Sequence, residues 1–128
     1  MTYKMFLDDE RVPNFLGLKG YDYPSKGNWV IVRSMQAAID CIKDNGVPFF
    51  IAFDHDLEDA HYDGKEGHER TGYEFAKWFW DYVLDNNIVL PDDFGWVVHS
   101  MNPTGAENIR RYMANYMHHY LSEKRGTV

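Results

Sequence analysis

The sequence predicts an α/β protein with an open, mainly parallel sheet of four strands and flanking helices. Short apolar runs alternate with stretches of helical periodicity, as in α/β folds. Within each run successive residues are apolar, which is typical of strands that are buried on both faces. The chain has 128 residues and a mass of 15.1 kDa, so we expect a single domain, 1–128, with its own core.

The predicted strands are four short runs rich in aromatic and β-branched residues. Each run stops at a charged or otherwise polar residue, which marks its carboxyl end. The runs are residues 5–7, 29–32, 49–53 and 94–98. With the helices described next, the predicted order is β, β, α, β, α, β, α.

Three helices are predicted between and after these strands. The first has an N-cap serine and a glycine stop. The pattern T-x-x-E, a capping box, marks the start of the other two. The residues concerned are Ser34 and Gly46 for the first helix, Thr71 and Glu74 for the second, and Thr104 and Glu107 for the third, which we expect to run from 103 to about 121.

Composition excludes several classes of protein. Thirteen Lys and Arg residues against 20 Asp and Glu give a net charge of −7, which argues against a broad basic surface for duplex DNA. The single cysteine, Cys41, excludes an intramolecular disulfide and a multi-cysteine zinc site. No signal-peptide pattern and no apolar run of about 20 residues is present. We therefore expect a soluble cytoplasmic protein that does not bind membranes.

Polar and ionisable residues follow every predicted strand. Ligands of open α/β sheets bind at the carboxyl ends of the strands, so this edge is the predicted functional site. The alternative is that these are ordinary loop residues and helix caps. The residues are Asp8, Asp9, Glu10 and Arg11 after the first strand, Arg33 and Ser34 after the second, Asp54, His55 and Asp56 after the third, and His99, Ser100 and Asn102 after the fourth.

Three carboxylates at this edge form a candidate metal site. Asp8, Asp9 and Asp54 lie close together if the first and third strands are neighbours, and like charges at short range repel unless a cation lies between them. Oxygen ligands suit a hard divalent cation such as Mg²⁺. Alternatively, Arg11 and Arg33 neutralise the carboxylates without a metal.

Two histidines are candidate catalytic residues. His55 and His99 follow different strands at the same edge, and an imidazole can accept or donate a proton near neutral pH. Together they could activate a water and protonate the leaving oxygen of a phosphodiester. The candidate phosphate-binding groups are Arg11 and Arg33, which can donate two parallel hydrogen bonds, Asn102, and the backbone of the helix start at Thr104.

Four motifs in this order resemble the cyclic-phosphate processing receiver domains. The resemblance covers residues 3 to about 115. The motifs are LDDER at 7–11 with Pro13, FDHDL at 53–57, TGYEFAKW at 71–78, and HSMNP at 99–103 with Gly105, Asn108 and Ile109.

The resemblance implies a receiver-like, flavodoxin-like fold and a role in processing cyclic phosphates, such as the 2′,3′-cyclic ends of cleaved RNA. It implies an acidic Mg²⁺ pocket at Asp8, Asp9 and Asp54 and a hydroxyl residue at Ser100. The two histidines distinguish this family from ordinary receivers.

The chain departs from signalling receivers in two places. After Asn102 the sequence predicts one long helix and no fifth strand, so the only candidate for the receivers' conserved lysine is Lys124, beyond that helix. The helix between the first two strands is replaced by a long loop that begins at Pro13. The first departure argues against a regulated phosphoacceptor, a third alternative in which Asp54 or Asp56 would accept the phosphoryl group.

The sequence favours a metal-assisted phosphoesterase, a hydrolase that acts on a cyclic RNA end or a small cyclic nucleotide. His55 and His99 would act as acid and base, with Asp56 and Ser100 as further candidate catalytic residues. The net negative charge favours such a small substrate over an extended duplex.

The alternative is a receiver-like module without catalytic activity, which binds a nucleotide, a phosphate or a protein partner. Tyr21, Tyr23 and Trp29 could stack a base in this case. Trp29 is better interpreted as a core residue.

Overall fold

The computed structural model describes residues 3–8, 27–54, 72–99 and 103–126. The described part contains four strands and three helices in the predicted order. They are β1 (Tyr3–Leu7), β2 (Asn28–Val32), α1 (Met35–Asn45), β3 (Phe50–Phe53), α2 (Gly72–Asp85), β4 (Gly95–Val98) and α3 (Pro103–Gly126).

The four strands form one parallel sheet in the order β2-β1-β3-β4. In the central pair, Met5 lies opposite Ile51 and Leu7 opposite Phe53. Strands β2 and β3 lie on opposite sides of β1, so the chain crosses β1 on its way from β2 to β3. The strand order therefore reverses between β1 and β3, the place where ligands bind in open α/β sheets. The predicted fold class is confirmed.

One face of the sheet packs on all three described helices. The main core contains alternate residues of the strands together with residues of α1, α2 and α3. Both described crossovers, β2–α1–β3 and β3–α2–β4, progress in the same direction across the sheet. The right-handed rule for such crossovers therefore places α1 and α2 on the same face. The strand residues of this face are Tyr3, Met5, Leu7, Val32, Ile51, Phe53 and Val98.

The second face holds a smaller aromatic cluster, to which no residue of these three helices belongs. Its buried members are Phe6, Phe49, Phe50 and Ala52, and Trp29 and Val97 pack against them. Trp29 meets Phe6 edge to face, with ring centroids 5.7 Å apart. This packing agrees with the interpretation of Trp29 as a core residue, whereas Tyr21 and Tyr23 lie outside the described residues.

The first helix has the predicted caps. The Ser34 hydroxyl accepts a hydrogen bond from the Ala37 backbone N–H at 3.1 Å, and Gly46 follows the helix with a φ of 86°. Tyr3 anchors this end of the helix to the sheet, because its hydroxyl donates to the Gly46 carbonyl at 2.6 Å.

The third helix begins at Pro103, as predicted, and differs from the prediction in its cap and in its C-terminal end. Thr104 is its second residue rather than its N-cap. Proline suits a first helical position because its φ is already helical and it needs no N–H there. The expected capping box of Thr104 and Glu107 is therefore wrong, and Glu107 instead pairs with Arg111 at 3.2 Å. The helix also continues to Gly126, so Lys124 lies within it rather than beyond it.

Within the part of the chain that the structure describes, no helix combines the length and the apolar character needed to span a bilayer.

Candidate functional site

Three of the predicted site residues continue the sheet by one residue beyond their strands. The Asp8 N–H donates to the Val32 carbonyl at 3.2 Å. The Asp54 N–H donates to the Leu7 carbonyl at 2.9 Å, and the His99 N–H donates to the Phe53 carbonyl at 2.8 Å. Asp8, Asp54 and His99 are thus fixed side by side at the carboxyl edge of the sheet, as the strand ends predicted.

The alternation of side chains along a strand places these residues on the second face. Residues 3, 5 and 7 of β1 belong to the helix-covered core, so residues 4, 6 and 8 lie on the opposite face. By the same alternation, Asp54 after β3 and His99 after β4 also lie on the second face. The edge therefore brings two carboxylates and an imidazole together on one side of the sheet.

Asp8 and His99 form a buried pair. The Asp8 Oδ2 and His99 Nε2 atoms are 2.9 Å apart, and both side chains have 0% exposure. Because β3 lies between β1 and β4, the two side chains meet across the end of β3, where Asp54 lies. With Asp8 ionised, its carboxylate can only accept, and His99 donates this bond from Nε2. The bond sets the tautomer and the rotation of the imidazole ring.

The His99 ring also stacks on Phe6. The ring centroids are 4.6 Å apart and the planes differ by 3°. Phe6 was not among the predicted site residues. Its signal in the sequence is its position two residues before Asp8, because residues two apart on a strand share a face.

Asp54 is also buried, with an exposure of 5%. The start of α2 packs directly on its backbone, because a Cβ at Gly72 would overlap the Asp54 carbonyl. Glycine at the start of this helix therefore allows α2 to approach the end of β3. This contact accounts for the glycine of the T-G pair in the third motif. Thr71, the other residue of the pair, lies outside the described residues.

Arg33 contacts Asp8 through the backbone. Its side chain is exposed, and Nη1 donates to the Asp8 carbonyl oxygen at 3.3 Å. The guanidinium therefore lies at the same edge as the Asp8–His99 pair, although this bond is to the main chain of Asp8 rather than to its carboxylate. Thr104 is exposed in the first turn of α3.

A second arginine reaches this edge from α3. Arg110 Nη2 donates to the Val98 carbonyl at 3.4 Å, and Nη1 lies 3.8 Å from Glu107. Arg110 was not among the predicted site residues. The signal that could have found it is the short connection between β4 and α3, which brings the second turn of that helix back beside the strand end.

Seven residues of the predicted site lie outside the described residues, and their roles stay predictions. They are Asp9, Glu10, Arg11, His55, Asp56, Ser100 and Asn102. The described residues contain no group of three or more His, Cys, Asp or Glu side chains arranged to hold a metal ion. Asp8 and Asp54 are the part of the predicted acidic set that the structure describes.

Comparison with known proteins gives one match. The family model of the cyclic-phosphate processing receiver domain matches residues 3–115. Neither a curated protein nor a solved structure matches the chain. The matched region contains the four strands, the first two helices and the Asp8–His99 pair. The chain therefore belongs to the family of cyclic-phosphate processing receiver domains.

Proposed function

We propose that this protein is a phosphoesterase that opens a cyclic phosphate, either the 2′,3′-cyclic end of an RNA or a small cyclic nucleotide. The observation that carries the proposal is the Asp8–His99 pair, with Oδ2 and Nε2 2.9 Å apart at the reversal point of the sheet. An imidazole oriented by a carboxylate is a common proton-transfer group in enzymes. Membership of the family supports the choice of a cyclic phosphate as substrate.

The proposed reaction is a hydrolysis. A water oxygen attacks the phosphorus, and one bond between phosphorus and a ribose oxygen breaks. The products are a phosphate monoester and a free hydroxyl group. One histidine of the pair His55 and His99 takes a proton from the water, and the other gives a proton to the leaving oxygen. Because His99 bonds Asp8 through Nε2, its proton exchange with the substrate goes through Nδ1.

Asp8, Asp9 and Asp54 would hold a divalent cation, with Mg²⁺ the best match to oxygen ligands. The described part of the site fits this role, because Asp8 and Asp54 follow neighbouring strands on the same face. A bound cation would supply charge withdrawal from the phosphate.

The remaining predicted residues would orient the phosphate. Arg33 lies at the end of β2 and contacts the Asp8 carbonyl, so its guanidinium is close to the acidic edge. Arg11, Asn102 and the first turn of α3 at Thr104 are further candidates. Asp56 and Ser100 stay candidate catalytic residues.

A second function is favoured by the burial of the pair. The Asp8 and His99 side chains both have 0% exposure, which suits a pair that shapes a binding site without transferring protons. In that case the protein is a receiver-like module that binds a nucleotide, a phosphate or a protein partner.

The test is hydrolysis of a 2′,3′-cyclic nucleotide and of a short RNA with a 2′,3′-cyclic end, with Mg²⁺, Mn²⁺ or EDTA. We expect His55→Ala and His99→Ala each to lower the rate by on the order of 10²-fold to 10⁴-fold. His99→Gln is a second variant that can still donate to Asp8 but cannot exchange a proton, and we expect the same loss. The matched control is His118→Ala, an exposed histidine of α3, which should keep the parent rate.

The outcomes separate the two functions. Full activity of all the His55 and His99 variants would contradict the proposed mechanism. Substrate binding by the parent without turnover under any metal condition would favour the binding module. Loss of activity in EDTA with recovery in Mg²⁺ would support the cation.

A further inference from the structure

The structure assigns to Phe6 the role of a positioning residue for the His99 imidazole. Phe6 has 0% exposure and lies parallel to the His99 ring, with centroids 4.6 Å apart and planes that differ by 3°. At this distance the two rings contact over their faces. The importance of this contact for catalysis rests on the proposed function, whereas the positioning of the ring does not.

Strand β1 supplies both contacts that fix the imidazole. Phe6 and Asp8 are two residues apart and lie on the same face. The Phe6 ring fixes the plane of the imidazole, and the bond to the Asp8 carboxylate selects which nitrogen lies on that side. Either contact alone leaves one rotation unrestrained, since a stacked ring can still flip by a half-turn and a single hydrogen bond permits tilting.

Phe6 is itself held by the aromatic cluster of the second face. Trp29 meets it edge to face at 5.7 Å with an angle of 85°. Trp29 also contacts Phe50 at 6.2 Å, and the Lys4 Nζ atom lies 4.6 Å from the centre of the Trp29 ring. A continuous row of rings therefore runs from Phe50 through Trp29 and Phe6 to His99.

The row provides a matched control. Phe50 belongs to the same cluster and is also buried, with 7% exposure. It lies at the opposite end of the sheet from His99, because it pairs with Gly95 at the start of β4. Replacing Phe50 removes the same ring from the same cluster without removing the stack on His99.

The experiment compares Phe6→Leu with Phe50→Leu by ¹H–¹⁵N NMR of the histidine side chains, with His99→Gln used to assign the His99 signals. The parent should show one set of His99 ring signals with a hydrogen-bonded proton on Nε2. We expect these signals to broaden or split in Phe6→Leu and to persist in Phe50→Leu. Phe6→Met, whose flexible unbranched side chain can fill the irregular space without a ring, provides a second variant if Phe6→Leu does not fold.

Turnover gives an independent readout of the same role. If the protein hydrolyses a 2′,3′-cyclic nucleotide, Phe6→Leu should lower kcat by up to the order of 10²-fold, since misplacing a catalytic group by about 1 Å has effects of this size. KM should change little, because a misaligned proton-transfer group affects the transition state rather than substrate binding.

The NMR comparison decides the inference even if no substrate is turned over. Unchanged His99 signals in both Phe6 variants would overturn it, and so would equal changes in Phe6→Leu and Phe50→Leu. A parent without turnover whose His99 signals still depend on Phe6 would contradict only the proposed function.

Discussion

The two faces of the sheet differ in chemistry although they share the same strands. On the helix-covered face the buried strand residues are apolar, and the one hydroxyl among them, on Tyr3, is satisfied by the Gly46 carbonyl. On the second face lie the four buried polar or charged side chains of the described residues. These are Lys4, Asp8, Asp54 and His99.

A short strand can thus serve two purposes. The period of two along β1 sends Met5 and Leu7 into the core and Phe6 and Asp8 towards the site. Buried polar groups lower stability unless they are paired, and the proposed function offers a reason for their concentration on one face. Substitutions on the two faces should therefore differ in what they change.

The largest effect on stability should come from the helix-covered face. Phe79 of α2 has 0% exposure and stacks on Phe94, with ring centroids 5.6 Å apart. Phe79→Ala removes this ring and leaves a cavity, so the free energy of unfolding should fall by about 3–5 kcal/mol. Urea unfolding measures the change. The turnover of the molecules that remain folded should match the parent, and a loss below about 1 kcal/mol would contradict this assignment of the core.

A smaller effect should come from the polar contact at the other end of β1. Tyr3→Phe removes the hydrogen bond to the Gly46 carbonyl, and the free energy of unfolding should fall by about 1 kcal/mol. Turnover should stay at the parent value, because Tyr3 lies on the helix-covered face, away from Asp8 and His99. A loss of turnover with unchanged stability would contradict the separation of the two faces.

The same variant should change the response to alkaline pH. Burial raises the pKa of Tyr3 above its ordinary value of 10.0, and the hydrogen bond with Cys41 adds to the effect. Folding raises the pKa of Tyr3, so the protonated hydroxyl contributes to stability. This contribution is complete below pH 10.0 and is lost as the pH rises towards the pKa of the folded state. Between about pH 9 and about pH 11 the parent should therefore lose more stability than Tyr3→Phe. If the free energy of unfolding fell with pH equally in the two proteins, Tyr3 would have the same pKa in the folded and unfolded states. That result would contradict the prediction.

The sequence predicted the sheet and the edge of the site because both depend on local patterns. The apolar runs marked the strands, and the polar residues after them marked the carboxyl edge. The adjacency of β1 and β3, on which the grouping of Asp8 with Asp54 depended, is confirmed by their pairing.

The pairing of Asp8 with His99 could not be predicted in this way. The two residues are 91 positions apart, and their contact depends on strand order, register and the direction of two side chains across the end of β3. From the sequence, Asp8 is predicted as a metal ligand and His99 as an acid or base, without a bond between them. The cap of the third helix shows the opposite limit. The T-x-x-E pattern at Thr104 fits a capping box, but the helix begins one residue earlier, at Pro103, where proline suits the first helical position.

The most direct test of the account is the rate at which Asp8→Asn opens a 2′,3′-cyclic nucleotide in Mg²⁺. Asparagine keeps the size of the side chain and an oxygen that can accept from His99, but it lacks the charge. The matched control is Asp44→Asn, an exposed carboxylate of α1. We expect Asp8→Asn to fold and to lose on the order of 10²-fold or more in rate, with Asp44→Asn equal to the parent. Parent activity in a folded Asp8→Asn would contradict the central claim that the buried Asp8–His99 pair organises the site.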